Sequence, residues 1–267
     1  MRSRLMLRHK FIIFFAAATI SGFFSNVVNS AGVAVKPGEE AWTTNGVFGS
    51  FDRKQLKRGW QVYNEVCAGC HSIRLIYYRN LAEMGFSPNE IKKIAGSVEV
   101  PAGPNEDGET HKDDEPIMRP GKAFDRVVSP YANKIAARVA NGGALPPDLS
   151  LMTKARINGA NYVHALLTGF KEAPSGFKLS DGMHYNPYYP GGQIAMAAPL
   201  SAEAVEYSDG TKATVEQMSK DVTAFLIWTA EPELEERKRL GIKVIFFLII
   251  FTAMLFAVKR QIWSRLK

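Results

Sequence analysis

Apolar residues recur at helical spacing in two stretches of the chain, one early and one late. In the early stretch, which begins at Asp52, the apolar positions form one face: Leu56, Trp60, Tyr63 and Val66. The late stretch opens with Thr214 as a helix N-cap and keeps the same period: Val215, Met218, Val222, Phe225 and Trp228. These patterns predict two amphipathic helices. Gly59, which has no side chain, indicates that they cross closely, with Trp60, Phe225 and Trp228 near the contact.

Weaker signals complete a mostly α-helical body. Ser87, Pro88 and Glu90 form a helix start with a capping box, and Gly96 marks the end of that helix. Residues 132–139 and 162–167 favour two further short helices. Residues 97–131 are rich in proline, glycine and acid, so we expect a long irregular insertion there. The sequence contains no visible internal repeat and no convincing sheet.

The N-terminal 30 residues are typical of a cleaved secretory signal. A basic stretch up to Lys10 precedes an apolar run over residues 11–24, and small residues follow. Cleavage after Ser30, Ala31 or Ala34 fits this pattern. An uncleaved N-terminal anchor is the alternative, although the apolar run is short for a permanent span.

A second apolar run, residues 240–258, lies within the C-terminal segment 237–267 and carries one charge, Lys243. Its nineteen residues would span about 28 Å as a helix, close to the hydrocarbon thickness of a bilayer. The run predicts a single transmembrane anchor with Trp263 at the far interface, and a buried core helix is the alternative. With the signal, this gives an exported domain, residues 31–236, and a short cytoplasmic tail.

Composition and charge exclude several classes of protein and one kind of partner. The chain has 267 residues, is 46% hydrophobic and contains two cysteines, which excludes a wholly disordered chain and a disulfide-stapled scaffold. The formal charge is +7, but the basic residues concentrate at the two ends, and residues 31–236 carry −5. Nucleic acid is therefore not an expected partner.

Both cysteines lie in one C-x-x-C-H motif formed by Cys67, Cys70 and His71. This motif is the signature of covalent haem c attachment, in which two thiols bond the porphyrin edge and the histidine binds the iron. A thioredoxin-like dithiol would need a βαβ context that is absent from the pattern, and a zinc site would need further ligands. A disulfide across two residues would be strained.

An electron-transfer haem needs a sixth ligand, and methionine is one of its usual choices. Met1 and Met6 leave with the signal, Met254 lies in the predicted span and Met218 faces the core. The remaining candidates are Met84, Met118, Met152, Met183 and Met196, besides the free histidines His111, His164 and His184. Met196 is favoured because glycine and proline flank it in a loop, residues 191–199, and Met183 remains the main rival.

Several long strings resemble the cytochrome c1 family, whose members are the haem subunits of ubiquinol–cytochrome c oxidoreductase, the bc1 complex. They are residues 48–51 (FGSF), 58–67 (RGWQVYNEVC), 70–72 (CHS), 119–122 (RPGK), 140–150 (ANGGALPPDLS), 166–169 (LLTG), 186–191 (NPYYPG) and 230–233 (AEPE). The resemblance covers essentially the whole chain beyond the signal. The chain departs from the family pattern over residues 111–117, which are longer and more charged, and at Ala198, where a proline is more usual.

The resemblance implies a cytochrome c-type fold with Met196 as the axial ligand. It also implies haem-pocket roles for Asn141, Ala144, Pro146, Pro147, Arg156, Tyr162 and Tyr189, with Arg156 pairing a propionate. The implied function is one-electron transfer from a Rieske iron–sulfur protein to cytochrome c, in a dimeric complex with cytochrome b. The implied location is a bacterial inner membrane, with the haem domain in the periplasm.

Two other classes remain open from the residues alone. A free-standing, membrane-anchored cytochrome c would share the signal, the motif and the anchor, and an exported thiol oxidoreductase would share the cysteines. The acidic residues of the 106–115 stretch suit docking of a basic cytochrome, with a solvated loop as the alternative.

Overall fold

A computed structural model describes residues 34–265 of the chain. The predicted signal sequence lies outside these residues. The helices are α1 (Arg53–Val62), α2 (Pro88–Gly96), α3 (Lys134–Ala140), α4 (Met152–Ala155), α5 (Gly159–Thr168), α6 (Val215–Ala230) and α7 (Leu234–Ser264). A π-helical turn, Tyr63–Cys67, extends α1, and a 3-10 helix, Tyr78–Met84, precedes α2. The mostly α-helical fold class is confirmed.

The crossing of α1 and α6 is the centre of the body. A Cβ atom on Gly59 would lie 2.1 Å from the carbonyl oxygen of Asp221, so only glycine permits this approach. The Trp60 ring meets the Phe225 ring edge-on at 5.8 Å between centroids, and Trp228 stacks on Phe225 at 5.9 Å. The predicted close crossing is therefore confirmed.

Side-chain caps open three of the helices, two of them as predicted, at Ser87 and Thr214. Asp52 accepts hydrogen bonds from the backbone N–H groups of Lys54 and Gln55 at the start of α1. Ser87 and Glu90 complete the capping box of α2, which ends at Gly96 as expected. Thr214 accepts from the Gln217 N–H and opens α6. Local side-chain chemistry thus sets where each of these helices begins.

Three short antiparallel strand pairs correct the expectation of no sheet. They are β1 (Glu99–Pro101) with β4 (Met118–Pro120), β2 (His111–Lys112) with β3 (Glu115–Pro116), and β5 (His184–Tyr185) with β6 (Gln193–Ile194). Four of these strands lie in the 97–131 segment that was expected to be irregular. Strands of two or three residues are too short for a readable alternation of apolar and polar positions, which is why the sequence did not reveal them.

Helix α7 is long and apolar enough to cross a membrane, as the C-terminal run predicts. None of the side chains in its most apolar window is buried against the body. The alternative of a buried core helix is therefore wrong.

Candidate functional site

The two cysteines and His71 lie on the turn that ends α1. The π-helical turn closes with the Ala68 N–H donating to the Tyr63 carbonyl at 2.7 Å, and the His71 N–H donates to the Cys67 carbonyl at 2.9 Å. The Tyr63 side chain is fully buried and its hydroxyl donates to the His71 carbonyl at 2.9 Å. The core of the body thus fixes the backbone of the motif.

The imidazole of His71 is prepared for a metal at one nitrogen. Its Nδ1 lies 2.8 Å from the carbonyl oxygen of Pro147, and because that oxygen can only accept, Nδ1 carries the proton. Burial lowers the pKa of His71, although the hydrogen bond to Pro147 opposes the shift. The ring is therefore neutral near pH 7, with a lone pair on Nε2, which is the arrangement of a metal-ligating histidine.

A second segment, residues 147–150, forms hydrogen bonds with residues 72–75, which directly follow the motif. Asp148 accepts from the Ser72 hydroxyl at 2.8 Å and from the Arg74 N–H at 2.8 Å. The Leu149 N–H donates to the Ser72 carbonyl, and the Ser150 hydroxyl accepts from the Leu75 N–H. These bonds hold the Pro147 carbonyl against His71.

Sequence reasoning missed Asp148 and Ser150 as positioning residues. Burial pushes the pKa of Asp148 upward, but hydrogen bonds from the Arg74 N–H, Ser150 and Ser72 outweigh it and hold that pKa below its usual value. A carboxyl followed by a serine two residues on, directly after two prolines, was the signal available in the sequence.

The cysteine environment weighs against the thiol oxidoreductase alternative. Cys67 is half-buried and Cys70 is exposed. Burial raises the pKa of Cys67 to about 12, and the neighbouring Cys70 adds to the shift. Redox-active C-x-x-C motifs instead have a cysteine of lowered pKa, because the thiolate is the reactive form.

Asn141 and Ala144 lie on the turn that leads from α3 to the prolines. The Asn141 amide donates to the Ala137 carbonyl at 2.7 Å and to the Tyr131 hydroxyl at 3.0 Å. Its own carbonyl accepts from the Ala144 N–H. Asn141 therefore shapes the chain that leads through Pro146 to Pro147.

A cleft of about 480 Å³ connects Pro147 with Arg156. Pro147, Leu151 and Met152 line it together with three arginines, Arg74, Arg126 and Arg156, and with Asp148, whose carboxylate pairs with Arg74 at 3.3 Å. Guanidinium groups around an apolar wall suit a ligand that is apolar in its body and carries carboxylates at its edge. No local pattern distinguishes Arg74 and Arg126, so of these three arginines only Arg156 was predicted from the sequence.

Tyr162 lies near both Arg156 and Tyr189. Burial raises the pKa of Tyr162, Arg156 opposes this shift, and Tyr189 adds to it. Tyr162 is buried on α5, whereas Tyr189 lies in the loop that joins β5 to β6. The predicted pocket residues on α5 and on this loop are thus brought together.

The same β5–β6 hairpin carries both leading methionine candidates. Met183 directly precedes β5 and Met196 follows β6, so the two lie at the same open end of the hairpin. Asn186 is fully buried and its amide donates to the Leu166 carbonyl at 2.8 Å, which fixes the hairpin on α5. Both candidates are half-buried, whereas Met84 and Met218 are fully buried in the core.

Large apolar side chains are exposed on the segments that carry the pocket residues. Ile135 and Val139 on α3 are 75% and 80% exposed, and Ile157 beside Arg156 is 88% exposed. Such exposure is typical of a surface that an apolar ligand or partner covers. With a free histidine nitrogen, two thiols and three arginines, the donor set fits a haem with two propionates.

The comparisons with known proteins agree with this chemistry. Residues 42–266 match the model of the Cytochrome C1 family. The chain is 52% identical over 226 residues to "Cytochrome c1 2, heme protein, mitochondrial" of Arabidopsis thaliana, covering 85% of this chain and 72% of that protein. It is 43% identical to "Cytochrome c1" of Rhodospirillum rubrum, covering 90% and 91%. It is also 45% identical to "Cytochrome b/c1" of Bradyrhizobium diazoefficiens, covering 86% of this chain and 36% of that protein.

Proposed function

The chain belongs to the cytochrome c1 family, and we propose that it is the haem-carrying electron-transfer subunit of a quinol-oxidising bc1 complex. Cys67 and Cys70 would hold one haem c covalently, and His71 and Met196 would bind its iron. When bound, the haem supplies one-electron chemistry by cycling its iron between the ferric and ferrous states. The isolated chain is not expected to catalyse any reaction beyond electron transfer.

The observation that carries this proposal is the tautomer of the His71 imidazole, which its hydrogen bond to Pro147 sets. Its Nδ1 proton is committed to the Pro147 carbonyl, so the Nε2 lone pair is available without deprotonation. Two thiols precede it on the same turn, which gives three covalent or coordinate anchors within five residues. A structural zinc site would need a fourth ligand, and the described residues gather no further histidine, cysteine or carboxylate group around these three.

The pocket residues orient and shield the group. The guanidinium of Arg156 would pair a propionate, and Arg126 lines the same cleft, where Arg74 is already paired with Asp148. Tyr162 and Tyr189 add rings beside Arg156, while Asn141, Ala144, Pro146 and Pro147 form the loop that holds His71. Met196 is preferred over Met183 because, in the family that the sequence resembles, the methionine of the loop corresponding to residues 191–199 binds the haem iron.

The partners and the location follow from the family and from the anchor. We infer assembly with cytochrome b and a Rieske iron–sulfur protein in a dimeric complex, with the electron passing from the Rieske protein to a cytochrome c. The name "Cytochrome b/c1" of a relative supports an association with cytochrome b. Helix α7 would anchor the chain in a bacterial inner membrane, with the body in the periplasm and the tail in the cytoplasm.

Covalent haem is tested with serine variants. Cys67→Ser and Cys70→Ser each remove one thioether, so haem staining on denaturing gels should fall in either variant and vanish in the double variant. A pyridine haemochrome spectrum of the unmodified protein checks the c-type linkage. Full covalent staining of the double variant would contradict the proposal.

Assembly is tested by purification from membranes of a cell that expresses the full chain with an affinity tag. Co-purification of cytochrome b and the Rieske protein, with quinol-dependent reduction of the haem, is expected. A haem-loaded chain that purifies alone from gently solubilised membranes would instead favour a free-standing anchored cytochrome.

A further inference from the structure

The loop of residues 43–50, between the N-terminal segment and α1, is a compact turn with an apolar tip. The Ser50 N–H donates to the Thr43 carbonyl at 3.0 Å, which brings the two ends of the 43–50 loop together. Gly46 has φ +72, and a Cβ on Gly49 would lie 2.3 Å from the Asn45 carbonyl oxygen, so the loop needs both glycines. At its tip, Val47 is 62% exposed and Phe48 is 86% exposed. The loop contains no charged residue.

This loop is bonded to the first turns of α7. The Lys238 ammonium donates to the carbonyl oxygens of Thr44 and Gly46 at 2.6 Å each and to that of Gly49 at 3.2 Å. Directly after the loop, the Phe51 N–H donates to the Glu235 carboxylate at 2.7 Å. The loop therefore has a fixed position along the axis of α7.

The order of these contacts gives the direction of the loop. Phe51, after the loop, is hydrogen-bonded to Glu235, and the loop carbonyls are bonded to Lys238. At the tip, Val47 and Phe48 line a small cleft together with Ile242. Ile242 lies inside the apolar run 240–258, and a helix rises about 1.5 Å per residue. From Glu235 to Ile242 the contacts thus progress about 10 Å toward the membrane.

We propose that the 43–50 loop inserts its tip into the headgroup layer of the bilayer, with Val47 and Phe48 in contact with lipid. This inference rests on the proposed anchoring role of α7 and adds a second membrane contact to it. An aromatic ring beside an aliphatic side chain is suited to this layer, and the absence of charge removes the cost of desolvating an ion. Arg239, which lines the same cleft, places a cation at the depth of the lipid phosphates.

Spin-label accessibility in the intact complex, reconstituted in phospholipid nanodiscs, tests the loop. Haem attachment occupies Cys67 and Cys70, so Phe48→Cys introduces a free thiol into this chain, and the unmodified complex gives the background from other subunits. Val244→Cys, in the predicted span, reports on the anchor itself. Thr110→Cys, on the exposed β2–β3 hairpin, gives the value for an aqueous site.

We expect the label at position 48 to be several-fold more accessible to oxygen, relative to a water-soluble nickel chelate, than the label at position 110. Accessibility to the chelate equal to that at position 110 would overturn the proposal, because the tip would then lie in water. Protection from both reagents would also overturn it, because a protein neighbour would then cover the tip. If the label at position 244 also lacked lipid exposure, the proposed anchoring of α7 would be wrong. If only the label at position 244 were exposed to lipid, the anchor would stand and the proposed lipid contact of the 43–50 loop would be wrong.

Discussion

The imidazole of His71 owes its orientation to residues more than 70 positions away in the sequence. Pro147 accepts its Nδ1 proton, and Asp148 ties the Pro147 segment to Ser72 and Arg74. Because the Asp148 carboxylate accepts several hydrogen bonds at once, its loss would leave several donors without a partner. His71 and Asp148 thus form one positioning unit, in which the carboxylate acts on the imidazole through the Pro147 segment.

Asp148→Ala should destabilise the haem-loaded protein by ~1–3 kcal/mol at pH 7, because partly buried donors lose their acceptor. The folded protein lowers the pKa of Asp148, so its contribution is present above the unfolded-state pKa of about 4. That contribution is lost as the pH falls through the lower, folded-state pKa. Urea unfolding of the protein and the variant from pH 7 to pH 3 should therefore show a converging difference.

The control for this prediction is Asp107→Ala, on the exposed acidic stretch, which should change stability by less than ~0.5 kcal/mol. A pH-independent difference for Asp148→Ala would assign the loss to packing rather than to the carboxylate.

Met196 and Met183 can be distinguished by redox titration. Met196→Lys should keep covalent haem but lower the midpoint potential by a substantial fraction of the ~0.8 V range that axial ligands set, because a nitrogen donor replaces the thioether. Met183→Leu, at the same end of the hairpin, should leave the potential near its original value. A strong shift in Met183→Leu together with none in Met196→Leu would reverse the ligand assignment.

At the scale of the elements, the contact between α1 and α6 leaves no room for a side chain larger than that of glycine at position 59. A methyl group on Gly59 would meet the Asp221 carbonyl oxygen at 2.1 Å and the Phe225 Cβ at 2.7 Å, so α1 must move away. Gly59→Ala should therefore cost ~1–3 kcal/mol of stability and lower Tm. Gly96→Ala, at the end of α2 with nothing within 4 Å, is the matched control and should be neutral or slightly stabilising. Equal Tm values for the two variants would contradict the proposed packing constraint.

Elements with a local signal could be predicted from the sequence. The caps at Ser87 and Thr214 and the apolar periods of α1 and α6 predicted the starts of α2 and α6 and the crossing, whereas the capping role of Asp52 was not recognised. The 3-10 helix Tyr78–Met84 and the two-residue strands had no such signal, because they are too short to show a period. The bonds from Asp148 to Ser72 and from Lys238 to the 43–50 loop join distant segments, and long-range hydrogen bonds of this kind leave no mark in a single sequence.

Across the whole sequence, charge is separated between the body and the two ends. The basic residues concentrate before and after the apolar run 240–258 and within residues 1–30, whereas residues 31–236 carry a formal charge of −5. Propionates on a bound haem would add to that negative charge. An electron acceptor that approaches the body from the aqueous side therefore meets a negative field, which attracts basic cytochromes.

The acidic stretch is the most concentrated part of this field. Three of its six acids, Asp113, Asp114 and Glu115, lie on the β2–β3 hairpin, where Asp113 and Asp114 form a turn with φ values of 52° and 64°. Its carboxylates are all exposed: Glu106, Asp107, Glu109, Asp113, Asp114 and Glu115. Exposed charges act over the Debye length, which falls from about 10 Å at 0.1 M salt to about 3 Å at 1 M. Oxidation of the reduced protein by a basic cytochrome c should accordingly slow as salt rises.

Neutralising these six acids together should weaken the salt dependence of the second-order rate more than it changes the saturated rate, because charge at the rim of an interface acts chiefly on association. Stopped-flow oxidation across a salt series measures both rates. A control variant neutralises three other exposed acids, Glu83, Glu203 and Glu233, and should retain most of the original slope if docking uses the hairpin. An unchanged slope in the six-fold variant would assign docking to other acids or to an apolar surface, and the hairpin would then be a solvated loop. A slope that falls half as much in the control as in the six-fold variant, in proportion to the charge removed, would instead mean that the acceptor responds to the net charge of the body rather than to this hairpin.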